Sequence, residues 1–186
     1  NIVLSTSSGD ITGLATVNAG SGNVTLNSAG AIVDDGSSGT VITGGVLTAD
    51  AAGAITIDST VTSANISTSA AGAVDLDETD AITLTDVDTN DGSITVDAGG
   101  LITATDVVAS GGSGDSVTLS TTTGGAVATL VTGADAVSIT ANAGDITIGS
   151  VTATAGTLGV TATAGSINDA ADDNTADFTA GGLITL

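Results

Sequence analysis

One step, Gly-x-(Ile/Val), returns every 20 residues or so along this chain and constrains its fold more than any other feature. It stands at Gly9-Asp10-Ile11, Gly30-Ala31-Ile32, Gly53-Ala54-Ile55, Gly72-Ala73-Val74 and Gly92-Ser93-Ile94, then at Gly125-Ala126-Val127, Gly144-Asp145-Ile146 and Gly165-Ser166-Ile167. The glycines are 21, 23, 19, 20, 33, 19 and 21 residues apart. A fixed period in this range is the mark of a solenoid, in which no single repeat buries its apolar face alone. Between markers the local period is two, as in Ile55-Thr56-Ile57, Val74-Asp75-Leu76, Ile94-Thr95-Val96 and Val137-Ser138-Ile139. That alternation places one set of side chains inward and the other in solvent. β-Branched Val, Ile and Thr favour the strand, while Gly, Asn, Asp and Ser fill the junctions.

The stretch from Gly53 to Ala71 serves as a template, with Ile55/Ile57, Val61 and Ile66 anchoring three short strands. Gly144 to Ala164 repeats it with Ile146/Ile148, Val151 and Leu158/Val160. We therefore expect an all-β chain: a single-stranded, parallel β-helix of about eight to nine turns, three short strands to a turn, running through residues 1–186 as one continuous solenoid. At about 4.8 Å per turn, eight turns make a rod roughly 40 Å long. A bore that narrow holds Val, Ile, Leu and Ala, and the lone aromatic residue, Phe178, is expected inside in a looser turn. Immunoglobulin-like domains, the rival all-β architecture, use a Trp or Tyr core and Pro in their turns. This chain has no Trp, Tyr or Pro. Residues 98–124, within the long interval, read either as one irregular turn with an extruded loop at Ser110-Gly111-Gly112-Ser113-Gly114 or as two turns that have lost a marker.

The formal charge is -21, from 21 acidic residues with no Lys, Arg or His. No internal salt bridge is possible. Nucleic acid is excluded as a partner because nothing neutralises phosphate, and anionic membranes attract Lys and Arg that are absent here. No apolar run is long enough to insert in a bilayer as a helix. Disorder, the usual outcome of high net charge, is countered by 41% hydrophobic residues and a mean hydropathy of +0.49. Apolar stretches at Asn1-Ile2-Val3-Leu4 and Gly182-Leu183-Ile184-Thr185-Leu186 lead us to expect a segment of a longer array.

At Gly165-Ser166-Ile167-Asn168-Asp169, continuing to Leu186, the chain resembles large bacterial surface adhesins of the filamentous-haemagglutinin type. Ala29-Gly30-Ala31-Ile32-Val33-Asp34-Asp35, followed by Thr43-Gly44-Gly45-Val46-Leu47-Thr48, is similar to a degenerate copy of the same unit, and Asn23-Val24-Thr25-Leu26 is similar again. The resemblance implies a right-handed β-helical shaft, secreted and displayed at a bacterial cell surface. No binding residue transfers, because no site motif of that family is matched.

Proton transfer and electrostatic catalysis near neutral pH draw on His, Lys, Arg, Tyr or Cys, and the chain has none of these. The adjacent pairs Asp34/Asp35 and Asp172/Asp173 are read as solvated corners, and catalysis is not expected. Acid is densest from Asp75 to Asp97. There Asp86-Val87-Asp88-Thr89-Asn90-Asp91-Gly92 resembles a Ca²⁺ loop, with Asp86, Asp88, Asn90, Asp91 and Asp97 as candidate ligands, although Asp91 occupies the place of the sharp-turn Gly. No cofactor is required on this reading; a specific Ca²⁺ site there is weighed against diffuse counter-ions, sodium or calcium, that compensate the charge. The pairs Thr152/Thr154 and Thr161/Thr163 shift strand between turns, which argues against one flat Thr face. The expectation is a structural, non-catalytic shaft of an extracellular adhesin or surface filament, stacking end to end on itself or on neighbouring repeats. The alternative is a Ca²⁺-dependent module that binds host or neighbouring-cell glycans or proteins through its lateral faces and the 98–124 loop.

Overall fold

The structure is a computed structural model that describes residues 1–37, 39, 41–171 and 175–186. It is all strand and turn, and every strand pairing is parallel. The chain winds into a β-solenoid of about 8 turns. Each turn contributes a strand to each of three faces. The first face stacks β1 (Ile2–Ser5), β4 (Val24–Ser28), the second halves of β6 (Ile42–Ala51), β7 (Ile55–Ala71) and β9 (Ile82–Asp91), then β12 (Val107–Ala109), the ends of β14 (Ala126–Gly133) and β16 (Ile146–Ala153), and β19 (Phe178–Ala180). The second stacks β2 (Ile11–Leu14), β5 (Ile32–Asp34), the start of β7, β8 (Val74–Glu78), β10 (Ile94–Ala98), β13 (Val117–Thr121), β15 (Val137–Ala141), β17 (Leu158–Ala162) and β20 (Ile184–Thr185). The third stacks β3 (Val17–Asn18), the starts of β6 and β9, the middle of β7, β11 (Ile102–Ala104), the starts of β14 and β16, and β18 (Ile167–Asp169).

Register explains why period-two alternation suffices. Ile57, Leu76, Val96, Leu119, Ile139 and Val160 are successive partners on the second face, and each is essentially inaccessible to solvent. Similar stacks on the other two faces complete one uninterrupted core. Phe178 takes the place above Val151 and packs on that core half-buried, not enclosed within it.

Inner corner positions are small or carry a hydroxyl. Ala51, Ala98, Ala109, Ala141 and Ala153 fill several of them. Elsewhere a buried Ser28, Thr68 or Thr121 donates to the carbonyl of Ala31, Gly72 or Gly124 at 2.9, 3.1 and 2.6 Å. Thr89 donates to the Gly92 carbonyl in the same way. The corner carbonyl thus gains a partner and the buried hydroxyl is satisfied at once.

The glycine marker is a stacking requirement. A Cβ on Gly72 would collide with the backbone of Gly53 and Ala54 in the turn below, and a Cβ on Gly92 with that of Gly72. This ladder occupies the corner between the first and second faces. From the fifth turn onward a second ladder, formed by Gly100, Gly124, Gly144 and Gly165, stands at the corner between the second and third faces. The sequence marker therefore changes corner. Ile94 lies on the second face and pairs with Val117 one turn on, whereas Ala126 begins the third. The 33-residue interval is one turn plus a step to the next face, so neither an extra turn nor a lost marker is needed. It also inverts the Gly125 copy, where Ala126 and Ala128 point inward and Val127 outward. Residues 98–124 carry regular strands on all three faces, and the irregularity is confined to the corner 110–116, where Gly111 and Gly114 have φ of 114° and 103°.

Gly72→Ala is expected to destabilise the fold by about 2–3 kcal/mol, because overpacking against backbone cannot relax. A Cβ on Gly159 meets nothing within 4 Å, so Gly159→Ala is expected to be neutral or stabilising by up to about 1 kcal/mol through the unfolded chain. Urea-unfolding midpoints of the two variants check the pair.

Candidate functional site

Strand alternation and turn stacking together arrange the acid. On the outward side of the second face, Asp58, Asp77 and Asp97 are direct register partners in three successive turns. Asp75 projects from the same strand as Asp77, and Asp34 lies below, accepting the Asp58 N–H at 3.1 Å and the Gly36 N–H at 2.9 Å. An open groove of about 380 Å³ runs along this ladder, lined also by Glu78, Thr79 and Thr122. Like charges directly opposed across strands repel. Burial, followed by the charges of Asp97, Asp58 and Asp34, raises the Asp75 pKa above the ordinary carboxylate value. Burial, then Asp58, Asp75, Asp97 and Asp34, does the same to Asp77.

Behind the groove sits Glu78, 4% exposed. It occupies an inner corner between Ser59 in the turn below and Ala98 above. Its Oε2 accepts the Ser59 hydroxyl at 2.6 Å, both carboxylate oxygens accept the Val61 N–H at 3.1 and 3.2 Å, and Oε1 accepts the Asp80 N–H at 3.4 Å. The middle of β7 turns its corner without a connecting loop, and the carboxylate gives the Val61 amide its acceptor there. Burial raises the Glu78 pKa against the lowering effect of those donors.

A second acidic group lies on the first face. Asp86 and Asp88 project from β9, and Asp106 precedes β12 in the next turn, its carbonyl accepting the Val87 N–H at 3.0 Å. Asp88 is exposed as a residue, yet its carboxyl is partly withdrawn from water. That withdrawal, the charges of Asp86 and Asp106, and a hydrogen bond shared with Asp86 push its pKa up to about 6. Asp106 Oδ1 is buried with no hydrogen-bond partner.

The five residues expected from spacing to ligate Ca²⁺ are distributed as follows. Asp86 to Asp91 form the end of strand β9, so Asp86 and Asp88 share its outward side, with Asn90 and Asp91 exposed at its terminus. Asp97 belongs to β10, on the second face, beside Asp77. A parallel pairing that extends β9 to Asp91 keeps the segment straight where an ion loop would curl. Among the described residues, no group of three or more carboxylates is arranged to hold a metal ion. Asp34 and Asp35 diverge at a corner, Asp34 buried and Asp35 exposed, the latter accepting the Ser37 hydroxyl at 2.6 Å. Asp172 and Asp173 lie outside the described residues. Thr152 and Thr161 fall on the first and second faces respectively. Spacing held an unused signal for the ladder: Asp58, Asp77 and Asp97 stand 19 and 20 residues apart, the period of the marker itself.

No known protein family matches this chain, and no curated protein or solved structure does either.

The raised carboxylates fix the sign of the pH dependence. Asp75, Asp77, Glu78 and Asp88 bind protons more tightly folded than unfolded. Their contribution is fully present below the unfolded carboxylate range and is lost as pH rises through the folded values, about 6 for Asp88. The melting temperature in low salt is therefore expected to be higher at pH 5 than at pH 7.5, and Asp88→Asn should flatten that slope. Circular-dichroism melts across this range check it. A melting temperature that rises from pH 5 to 7.5 would mean that the carboxylates are compensated in the folded state.

Proposed function

We propose that this chain is a structural, non-catalytic shaft segment of an extracellular adhesin or cell-surface filament. The observation that carries the reading is the continuous core: one apolar column runs through about 8 turns. The groove along the Asp58–Asp77–Asp97 ladder is open and lined by carboxylates, Thr, Gly and Ala, with no cationic or aromatic group to bind or polarise a substrate. Enzyme sites more often combine enclosure with a few convergent polar groups of different kinds. A chain without Lys or Arg also offers nothing to trypsin-like proteases, which suits an exposed fibre.

A Ca²⁺-dependent adhesive surface is the second reading. It is favoured by the unpartnered Asp106 Oδ1 beside Asp86 and Asp88 on a lateral face.

Thermal melts and binding assays separate the two. The shaft reading expects millimolar NaCl and CaCl₂ of matched ionic strength to raise the melting temperature alike, with no saturable binding to host or bacterial cells. It also expects the rod to survive a broad-specificity protease at 37 °C for hours. Stabilisation specific to Ca²⁺, with cell binding abolished by Asp106→Asn, would replace it with the adhesive reading.

A further inference from the structure

The third face differs from the other two. Its central outward row runs through Val46, Ser63, Thr83, Thr103, Val127 and Thr147 with no carboxylate, whereas the first and second faces carry the acidic groups described above. Carboxylates stand at its corners, at Asp80, Asp86, Asp106, Asp145 and Asp177, and Asp169 ends β18. Away from the terminal strands, the exposed large hydrophobic residues are Val46, Leu101 and Leu130, at 37, 41 and 37% exposure. All three lie on the third face or at its edges: Val46 in β6 beneath Ser63 and Thr83, Leu101 before β11, and Leu130 in β14. Two shallow grooves of about 230 and 180 Å³ adjoin there, sharing Thr62 and Ala81 and continuing to Leu101 and Thr103.

We infer that the third face is a self-association surface, on which two copies of this chain pair side by side, third face to third face. The inference rests on the shaft reading, in which many rods stand close together. Charge selects the occupant. A second copy of a -21 chain meets like-charged rows of carboxylates at the first and second faces, while contact through the third turns those rows outward, away from the partner. A two-fold pairing of this kind is isologous and closes on itself. Apolar side chains at the centre with polar groups at the rim are the usual composition of such contacts. Area limits the strength. A flat strip about 25–30 Å long and 12 Å wide gives roughly 350 Å² per copy, well under the ~800 Å² per partner of stable complexes. Pairing of one segment is therefore weak, and it strengthens in proportion to the number of turns aligned.

Sedimentation equilibrium of the whole chain, from about 10 μM to 1 mM in 0.15 M and 0.5 M NaCl, tests this. The weight-average mass is expected to rise toward a dimer with concentration, more steeply at higher salt, where repulsion is screened. Leu101→Asp and Thr103→Asp are each expected to weaken association about tenfold by placing unpaired charge in the contact. Thr118→Asp, on the outward side of the second face, should leave it unchanged. Circular dichroism confirms that each variant is folded, and Thr103→Asp stands in if Leu101→Asp is not. A native chain that stays monomeric at 1 mM overturns the inference while leaving the shaft reading intact. Association that Leu101→Asp and Thr103→Asp do not touch, or that Thr118→Asp lowers equally, also overturns it, since contact would then run through the ends or another face.

Discussion

Each turn of this molecule is held by the backbone of the turns above and below it, and that ladder imposes one rule on the sequence. Every turn must present nearly the same cross-section at about 4.8 Å spacing. Strands satisfy the rule easily, because any inward apolar residue stacks on another. Corners do not, since there the backbone of one turn passes directly over the next. Gly72 over Gly53 and Gly92 over Gly72 show the consequence: a single Cβ has no room. Where a glycine ladder is absent, a small residue or a hydroxyl at the inner position, such as Thr68 or Ala98, keeps the corner tight. The near absence of aromatic residues follows from the same geometry, and Phe178 packs on the core only half-buried.

Charge is the cost of a surface built from acidic and hydroxyl residues alone. Stacking converts a sequence period into a spatial row, so Asp residues one turn apart become immediate neighbours. With no side-chain cation in the chain, protons and solvent ions are the available compensation, and burial together with neighbouring charge makes Asp75, Asp77 and Asp88 hold protons more tightly in the folded state. Glu78 shows the opposite use of a carboxylate. Buried, it closes a hydrogen-bond gap that the backbone ladder leaves at a loopless corner.

The solenoid was legible because its two signals, the marker spacing and the period-two alternation, are direct consequences of stacking. The strand triplets at Ile55, Val61 and Ile66 and at Ile146, Val151 and Leu158 fall on three faces as read. Which face a marker occupies was not legible. Gly-x-Ile looks identical at either corner, and only the register of Ile94 with Val117 reveals the change. The spatial grouping of the acidic residues was not legible for a related reason. Linear density drew attention to Asp86–Asp97, but neighbours on a solenoid are one turn apart, so Asp97 belongs with Asp77 and Asp58, and Asp86 and Asp88 belong with Asp106. The carboxylate-free central row of the third face likewise emerges only when residues such as Thr83 and Thr103 are aligned by turn.

Inter-turn register is the central claim, and nuclear Overhauser contacts along one column test it most directly. Val96 should show backbone contacts to Leu76 on one side and to Leu119 on the other, its register partners in the turns below and above. Ala126 should contact Ile102 and Ile146. Antiparallel contacts between sequential strands, for instance β8 with the start of β9, would contradict the solenoid and everything built on it.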